Sequence, residues 1–285
     1  MIDYKNGKWA REIILLQKKD GSWGDEFHSM AVPNKKRPIT TEQALRRLKI
    51  LGFTIEDEVI QRSVCYMRDC LLRKQRLPKR DLNALNNVYN DMILATWICQ
   101  FTDMEESANR IAAVWSGIIT SACQEGIFCE QQYQKEYDRT FGKIEKESLS
   151  IAFHKFYPVA LVVNHLDERS ESVYFDKILS YEKGIYYLGS GRPLSELPNC
   201  FESKEASRYL GAIEVMAQYK SDQCRSKLQF VADWLYKHQS ADETWDMGAA
   251  AKDSLYFPLS DGWRKEERRK DCTYRIQKIV HKIMG

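Results

Sequence analysis

The sequence predicts an all-α protein in which helices are paired as hairpins. Apolar residues recur three and four positions apart along nearly the whole chain, which is the periodicity of amphipathic helices. No convincing strand pattern interrupts them. Two copies of one short motif also follow apolar helix patterns, one near each end of the chain. These observations favour a single domain, residues 1–285, built from stacked helix pairs.

Composition and charge indicate an ordinary globular protein. Of the 285 residues, 44% are hydrophobic and 12% aromatic, which is sufficient for a well-buried core. The 43 basic and 40 acidic side chains give a net charge of only +3, so the overall charge does not indicate a nucleic-acid partner. The N-terminus lacks the apolar core of a signal peptide, and the longest strongly apolar run, residues 159–163, is too short to cross a bilayer. We therefore expect a cytoplasmic protein without a membrane span.

The repeated motif has the form Q-x-x-D-x-[ST]-W. It occurs as QKKDGSW at residues 17–23 and as QSADETW at residues 239–245. A glutamine amide can bond to backbone groups left open at a helix end, an aspartate suits a tight turn, and a tryptophan packs over the joint. Both copies are therefore interpreted as structural helix exits. The residues given this role are Gln17, Asp20, Trp23, Gln239, Asp242 and Trp245.

Start and stop signals define the first helices after the motif. Thr40 and Gln43 have the spacing of a capping box, and Gly52 is well placed to end the helix that they begin. A second helix is expected between the capping pair at residues 54–57 and Pro78. Because only a short turn separates them, we expect these two helices to form an antiparallel hairpin.

The same helical periodicity continues through the rest of the chain. Residues 131–147 are polar and fit either a connecting helix or an ordered loop, and Pro158 breaks or restarts the helix that contains it. Loops are expected at residues 184–200 and 248–263. Further helices are expected at residues 82–97, 108–119, 149–166 and 172–181, from Ser203, from about residue 224, and from about residue 265 to residue 283.

The paired motifs resemble the tryptophan motifs of the terpenoid cyclase and protein prenyltransferase superfamily, often called QW repeats. Members of that superfamily stack helical hairpins into an α/α toroid with a central cavity. The resemblance rests on the two ends of the chain and implies that the last hairpin closes onto the first. The alternative architecture is an open α-solenoid. A closed cavity would suit a small apolar or isoprenoid-like molecule, whereas an open groove would suit a peptide or a protein.

One triplet resembles a catalytic element of that superfamily. Asp271, Cys272 and Thr273 are similar to the aspartate-cysteine-threonine triplet that supplies the catalytic acid in the oxidosqualene-cyclising branch. The resemblance implies that a protonated Asp271 donates a proton inside an apolar cavity. The flanking charges instead favour a structural role, in which Asp271 pairs with Arg268 or Arg275 on the last helix. The chain contains no D-x-D-D or D-D-x-x-D run, which counts against a terpene synthase.

A second group of candidates lies in the loop before the last helix. Asp261 is either the N-cap of that helix, which we favour, or an acid or ligand anchor. Carboxylates and indole rings in this loop have the chemistry to hold a cation or an amine, and His28 could face the same space. The residues considered as candidate ligand contacts are Trp245, Asp246, Asp253, Trp263, Arg264 and His28.

No metal site is predicted, and the sequence does not identify a cofactor. A zinc site of the prenyltransferase kind needs an aspartate, a cysteine and a histidine, but the adjacent Asp271 and Cys272 point to different faces of a helix. Cysteines such as Cys65, Cys99 and Cys123 lie within helical patterns and are interpreted as reduced core thiols. The functional prediction is a toroid scaffold that binds a peptide, a protein or a small apolar ligand. The alternative is a terpenoid cyclase- or prenyltransferase-like enzyme with an aspartate acid.

Overall fold

Within the part of the chain that the computed structural model describes, every regular element is a helix, apart from an isolated bridge between Asn34 and Arg37. The described residues are 3–29, 33–34, 36–78, 87–124, 126–143, 152–185, 191–253 and 255–285. The α-helices are α1 (Lys8–Leu15), α2 (Thr41–Ile50), α3 (Glu58–Leu71), α4 (Asn87–Cys99), α5 (Glu106–Ala122), α6 (Glu130–Phe141), α7 (Phe156–Leu161), α8 (Glu168–Leu179), α9 (Lys204–Met216), α10 (Asp222–Ser226), α11 (Gln229–Lys237) and α12 (Lys265–Met284). The predicted all-α class is therefore confirmed for the described residues.

Helix α2 begins and ends where its local signals predict. The Thr40 hydroxyl accepts the N–H of Gln43 at 3.3 Å, and the Gln43 amide oxygen accepts the N–H of Thr40 at 3.1 Å, which completes the capping box. Gly52 follows the helix with a left-handed φ of 96°. This conformation is easily adopted by glycine and turns the chain out of the helix.

Helix α3 is shorter than predicted and has a different partner. The Asp57 carboxylate accepts the N–H of Thr54 at 2.7 Å ahead of the helix, as the capping pair implies, but the helix ends at Leu71, well before Pro78. Its most extensive backbone contacts are with α4 rather than with α2. The predicted α2–α3 hairpin is thus not among the main helix pairs.

Helix α4 explains this arrangement because it is buried on nearly every side. Nine of its thirteen residues are buried, from Tyr89 to Ile98. A helix that is apolar all round must be covered on all faces, and α3, α5 and α7 pack against it. The hairpin pattern of the sequence could not reveal which helix would take this central place.

The middle of the chain contains one helix that the sequence left open. Residues 130–141 form α6, whose Tyr133 and Tyr137 are buried, and the Tyr137 ring lies 5.8 Å from that of Trp115 on α5. Helix α7 is only six residues long and has Pro158 in its first turn, where a missing N–H costs no intrahelical bond. The predicted helices at residues 82–97 and 149–166 extend in part over residues 79–86 and 144–151, which lie outside the described ranges.

The two ends of the chain are in direct contact. The Trp9 indole donates to the carbonyl oxygen of Ser260 at 2.9 Å, and the Tyr4 hydroxyl donates to Asp271 at 2.8 Å. The ring of Tyr4 also meets that of Tyr274 edge-on, with centroids 4.9 Å apart. The N-terminal segment therefore packs against α12 and the loop that precedes it.

Two general features complete the fold. Among the described helices, none has the length and apolar character needed to cross a lipid bilayer. All eight cysteines are free thiols, and Cys123 is buried as predicted. Cys65 is exposed, so its predicted core position is wrong: it lies on the outward face of the amphipathic helix α3.

Candidate functional site

The principal candidate site is a cavity of about 450 Å³ whose walls come from helices distributed along the chain. Lining residues lie on α2, α4, α7, α9 and α12 and in the segments just after α2, α4 and α9. Tyr256 and Leu259 of the loop before α12 also form part of the wall. The volume is within the range of small-molecule sites, which is roughly 300–1,000 Å³.

The cavity is strongly cationic. Arg46 and Lys49 on α2, with Arg275, Lys278 and Lys282 on α12, line it, and Glu214 is the only carboxylate among the described lining residues. Arg275 forms an ion pair with Glu214 at 2.7 Å, so the single acidic group is already engaged. An excess of positive charge in a confined space concentrates anions.

Aromatic rings lie beside these cations. The Arg46 guanidinium stands 5.5 Å from the ring centroid of Trp97, and the Arg275 guanidinium stands 4.3 Å from that of Tyr256. The Lys278 ammonium lies 4.1 Å from the ring of Tyr274. Such contacts hold a cation at an apolar wall. The site therefore combines positive charge with apolar surface.

A buried carboxylate behind the wall holds two of these residues in place. Glu42 is fully buried, and its Oε1 accepts from Arg46 at 3.1 Å, from the Trp97 indole at 3.0 Å and from the Tyr157 hydroxyl at 2.6 Å. His28 contacts its second oxygen. Burial alone would raise the pKa of Glu42, but the hydrogen bond and charge of His28, together with Arg46 and Tyr157, outweigh burial and lower it to about 2. Glu42 is therefore ionised at neutral pH.

Lys49 is the unusual cation of the cavity. Its ammonium contacts the amide oxygen of Gln100, whose NH₂ group donates to the carbonyl of Ala160 at 3.2 Å and so fixes the direction of the amide. Burial, reinforced by the charge of Lys282, lowers the pKa of Lys49 to about 7, and Glu214 opposes this shift only in part. A large fraction of this amine is therefore neutral at physiological pH.

Asp271 is buried but is not part of the cavity lining. Its carboxylate accepts the N–H of Leu259 at 2.7 Å, the N–H of Ser260 at 3.0 Å and the Ser260 hydroxyl at 2.5 Å, in addition to the Tyr4 hydroxyl. These bonds attach the preceding loop and the N-terminal segment to α12. In particular, they position Leu259, which forms part of the cavity wall.

The predicted pairing of Asp271 with Arg268 or Arg275 is wrong. Arg268 binds Asp246 instead, at 2.5 and 2.7 Å, and Arg275 binds Glu214. All three residues of the proposed pairing lie near one another on α12, but the short aspartate is satisfied by loop donors. The longer arginine side chains reach carboxylates on other elements.

Replacing Asp271 by alanine is expected to lower the free energy of unfolding by about 2–4 kcal/mol, because several buried donors would lose their acceptor together. Tyr4→Phe removes only one of these donors and should cost about 1 kcal/mol. Urea unfolding monitored by circular dichroism measures both values. The exposed Asp25 provides the control, since Asp25→Ala should leave stability nearly unchanged. Parental stability of Asp271→Ala would refute this anchoring role.

Asp261 caps a helix, but not the predicted one. Its carboxylate accepts the N–H of Lys8 at 2.7 Å, the first residue of α1. The N-cap position of α12 is Arg264, whose N–H is bonded to Glu267 at 3.0 Å. The predicted cap of the last helix is therefore wrong, because the free N–H groups of α1 lie closer to Asp261 than those of α12.

The remaining loop candidates also make structural contacts. The Trp263 indole donates to the carbonyl of Ala249 at 3.0 Å, and Asp253 accepts the N–H of Tyr256 at 2.8 Å. None of the predicted ligand contacts, Trp245, Asp246, Asp253, Trp263, Arg264 and His28, is among the described residues that line the main cavity. Trp245 borders a separate surface pocket. Asp253 contacts the cavity wall indirectly, by binding the N–H of the lining residue Tyr256. His28 does so by contacting Glu42, which binds lining residues.

The two motif copies have the same internal geometry. Trp23 donates from its indole to the carbonyl of Ile13 at 2.7 Å, and Trp245 donates to that of Leu235 at 2.6 Å, each ten residues back in the preceding helix. Gln17 donates to the carbonyl of Gly21 at 3.0 Å. Its counterpart Gln239 donates to the carbonyl of Glu243 at 3.1 Å.

Each motif is also bonded to a later helix. The N–H of Trp23 donates to the Thr41 hydroxyl and the N–H of Trp245 to the Thr273 hydroxyl, both at 3.0 Å. Asp20 accepts the Ser22 hydroxyl at 2.7 Å, and Asp242 accepts the Thr244 hydroxyl at the same distance. The turns therefore join α1 to α2 and α11 to α12. Of these four helices, α2 and α12 line the cavity.

Sequence reasoning missed the cavity cations. Arg275, Lys278 and Lys282 are spaced three and four residues apart, which places them on one face of α12. Arg46 and Lys49 have the same spacing on α2. This basic stripe was the available signal, but an identical stripe on a solvated helix face is common.

Comparison with known proteins yields no match: no protein-family model, curated protein or solved structure matches this chain. Within the described ranges, no group of three or more histidine, cysteine, aspartate or glutamate side chains is arranged to hold a metal ion.

Proposed function

We propose that this protein is a small-molecule-binding α/α toroid whose cavity holds a largely apolar ligand carrying an anionic group. The excess of lysine and arginine over acidic residues in the cavity wall is the observation that carries the ligand assignment. A metabolite or lipid-like anion of this kind would place its charge on the cations and its apolar part on the aromatic rings.

The toroid arrangement is supported by closure and by the order of the lining helices. The N-terminal segment meets α12 and its preceding loop through Tyr4, Trp9 and their partners. Five helices from all parts of the chain face one cavity, while others, such as α3 and α5, pack behind them. An open solenoid would separate its first and last repeats. The equivalent motif turns at Trp23 and Trp245 agree with the same architecture.

The charge distribution supports an anionic ligand over a neutral one. Among the lining residues that the structure describes, five are lysine or arginine, against one glutamate that is paired with Arg275. Collecting like charges has an electrostatic cost, which a bound anion would offset. The neighbouring rings of Trp97, Phe101 and Phe156 provide the apolar surface.

The enzyme alternative with an aspartate acid gains no support from the geometry. The carboxylate oxygens of Asp271 accept hydrogen bonds from the loop before α12 and from the N-terminal segment. Asp261 caps α1. Neither is among the described lining residues of the cavity, so neither is in place to protonate a bound ligand. Binding is therefore the function that we propose.

The test compares matched ligands that differ in charge. Dodecanoate and dodecyl phosphate are expected to bind at least about tenfold more tightly than dodecanol, and more weakly at high salt. Isothermal titration calorimetry gives the three affinities.

Variants on one helix supply the control. The double variant Lys278→Gln/Lys282→Gln should weaken dodecanoate binding about tenfold or more, since two cations leave the wall. The double variant Lys265→Gln/Lys270→Gln removes the same charge from exposed positions of α12 outside the lining and should bind like the parent. Equal affinities for dodecanol and dodecanoate would contradict the proposal, as would equal losses in the two double variants.

A further inference from the structure

Lys49 occupies a position in the cavity that differs from that of the two arginines. Arg275 is bound to Glu214, and Arg46 is bound to the buried Glu42. The ammonium of Lys49 instead contacts a neutral amide oxygen, that of Gln100. Because Gln100 is held by Ala160, its oxygen directs the Lys49 side chain along the wall between α2 and α4.

The surroundings of Lys49 disfavour its charged form. Its own helix contributes Arg46, α9 contributes Glu214, and α12 contributes a group of basic side chains on the opposing wall. Glu214, whose charge favours the protonated form of Lys49, is shared with Arg275, while Lys282 repels the Lys49 ammonium. The cavity-facing basic and titratable side chains of α12 are Tyr274, Arg275, Lys278, His281 and Lys282.

A lysine in such surroundings has a specific reactivity. An amine that is partly buried and placed beside another cation is activated as a nucleophile, because its neutral form is populated. The lowered pKa of Lys49, about 7, agrees with this geometry. An exposed lysine with a pKa of about 10.4 keeps fewer than about one amine in a thousand neutral at pH 7.

We propose that Lys49 is a nucleophilic amine that forms an imine with an aldehyde or ketone group on an anionic ligand of the cavity. This inference rests on the proposed function, since the cations of the same wall bring the ligand to the amine. It adds a covalent step and a chemical class of ligand, an anionic carbonyl compound, to simple binding.

The step balances without any further reactant. The nitrogen lone pair of Lys49 forms the new C–N bond while the carbonyl π pair moves to oxygen. The carbon–oxygen bond then breaks, and the oxygen leaves as water with the two hydrogens that the amine nitrogen gives up. The product is a C=N double bond, and no oxidant or reductant takes part.

Reductive trapping tests the proposal on the whole protein. The probe is 4-carboxybenzaldehyde with sodium cyanoborohydride at pH 7, followed by peptide mass spectrometry. Lys49 is expected to be labelled at least about tenfold faster than exposed lysines such as Lys265, because far more of its amine is neutral. The initial labelling rate should rise with pH and reach half its plateau near pH 7. Lys49→Arg removes the primary amine and should abolish the fast labelling, and circular dichroism of this variant checks that the helical fold is kept.

Two companion probes separate the inference from the proposed function. Labelling of Lys49 at the rate of the surface lysines overturns the inference. If 4-(hydroxymethyl)benzoate, which cannot form an imine, still competes with dodecanoate for the cavity in that case, anion binding stands. Conversely, fast labelling of Lys49 by uncharged benzaldehyde and by the carboxylate probe at equal rates would support the imine and contradict selection for anions.

Discussion

Replacement of Trp23 or Trp245 by alanine is expected to lower the free energy of unfolding by about 3–5 kcal/mol in each case. Both indoles are almost completely buried, with 1% and 2% of their surface exposed. Each also donates a hydrogen bond to a carbonyl of the helix that it covers. Alanine would leave a cavity at the turn and an unsatisfied carbonyl beside it. Urea unfolding followed by far-ultraviolet circular dichroism measures the loss.

Phenylalanine variants separate packing from hydrogen bonding at the same sites. Trp23→Phe and Trp245→Phe keep an aromatic ring but lose the indole N–H. The lost hydrogen bond should lower the free energy of unfolding by about 1 kcal/mol, and the small cavity left by the shorter ring should lower it further. Leu15→Ala on α1 is the control, because 84% of Leu15 is exposed and its replacement should change stability by less than about 0.5 kcal/mol. Alanine variants as stable as the parent would show that these tryptophans do not hold the helix joints.

Replacement of Glu42 by glutamine is the second change with a large expected effect, a loss of about 3–5 kcal/mol at neutral pH. The substitution keeps the shape of the side chain but removes a buried negative charge. Arg46, which is only 6% exposed, would then lose the ionised carboxylate that it binds at 3.1 Å in the wall of the cavity. Urea unfolding at pH 7 measures this loss.

The chain contains a matched control for this substitution. Glu106 and Arg110 have the same four-residue helical spacing as Glu42 and Arg46, but their side chains are 80% and 73% exposed. Solvent screens such a pair, so Glu106→Gln should cost no more than about 0.5 kcal/mol. Similar losses for the two variants would mean that burial adds nothing to the Glu42 pair and would contradict its anchoring role.

The same carboxylate predicts a dependence of stability on pH. The pKa of Glu42 in the folded protein is about 2, below the ordinary value of 4.5, so the unfolded chain binds the proton more tightly. The stability that Glu42 contributes is therefore complete above pH 4.5 and is lost as the pH falls toward 2. The difference in unfolding free energy between the parent and Glu42→Gln should shrink over this interval. A difference that stays constant from pH 5 to pH 2.5 would contradict the depressed pKa.

Glu42 also connects stability with the candidate site. Its oxygens hold Arg46 and Trp97, which both line the cavity, and Asp253 and Asp271 hold Tyr256 and Leu259 in the same wall. Carboxylates that do not touch the cavity thus determine its shape.

Short-range signals identified much of the secondary structure. The capping pair of Thr40 and Gln43 and the cap at Ser203 are where their spacing predicts, because each cap needs only a few neighbouring residues. Both motif turns were located in the same way, since their defining hydrogen bonds join residues no more than ten positions apart. Periodicity also identified α5 and α12. It could not decide between helix and loop for the polar residues 131–147, where two buried tyrosines stabilise α6.

The partners of charged side chains required the folded chain. Asp271 lies next to several arginines along the sequence, yet its contacts include Tyr4, 267 residues away. Asp261 likewise caps a helix 253 residues away, and the cavity joins cations of α2 to cations of α12. Local propensity acts over one or two helical turns, whereas a charge pairs with whichever group packing brings within about 4 Å. The helices could therefore be derived from the order of residues, while the cavity and its chemistry arise only when distant helices meet.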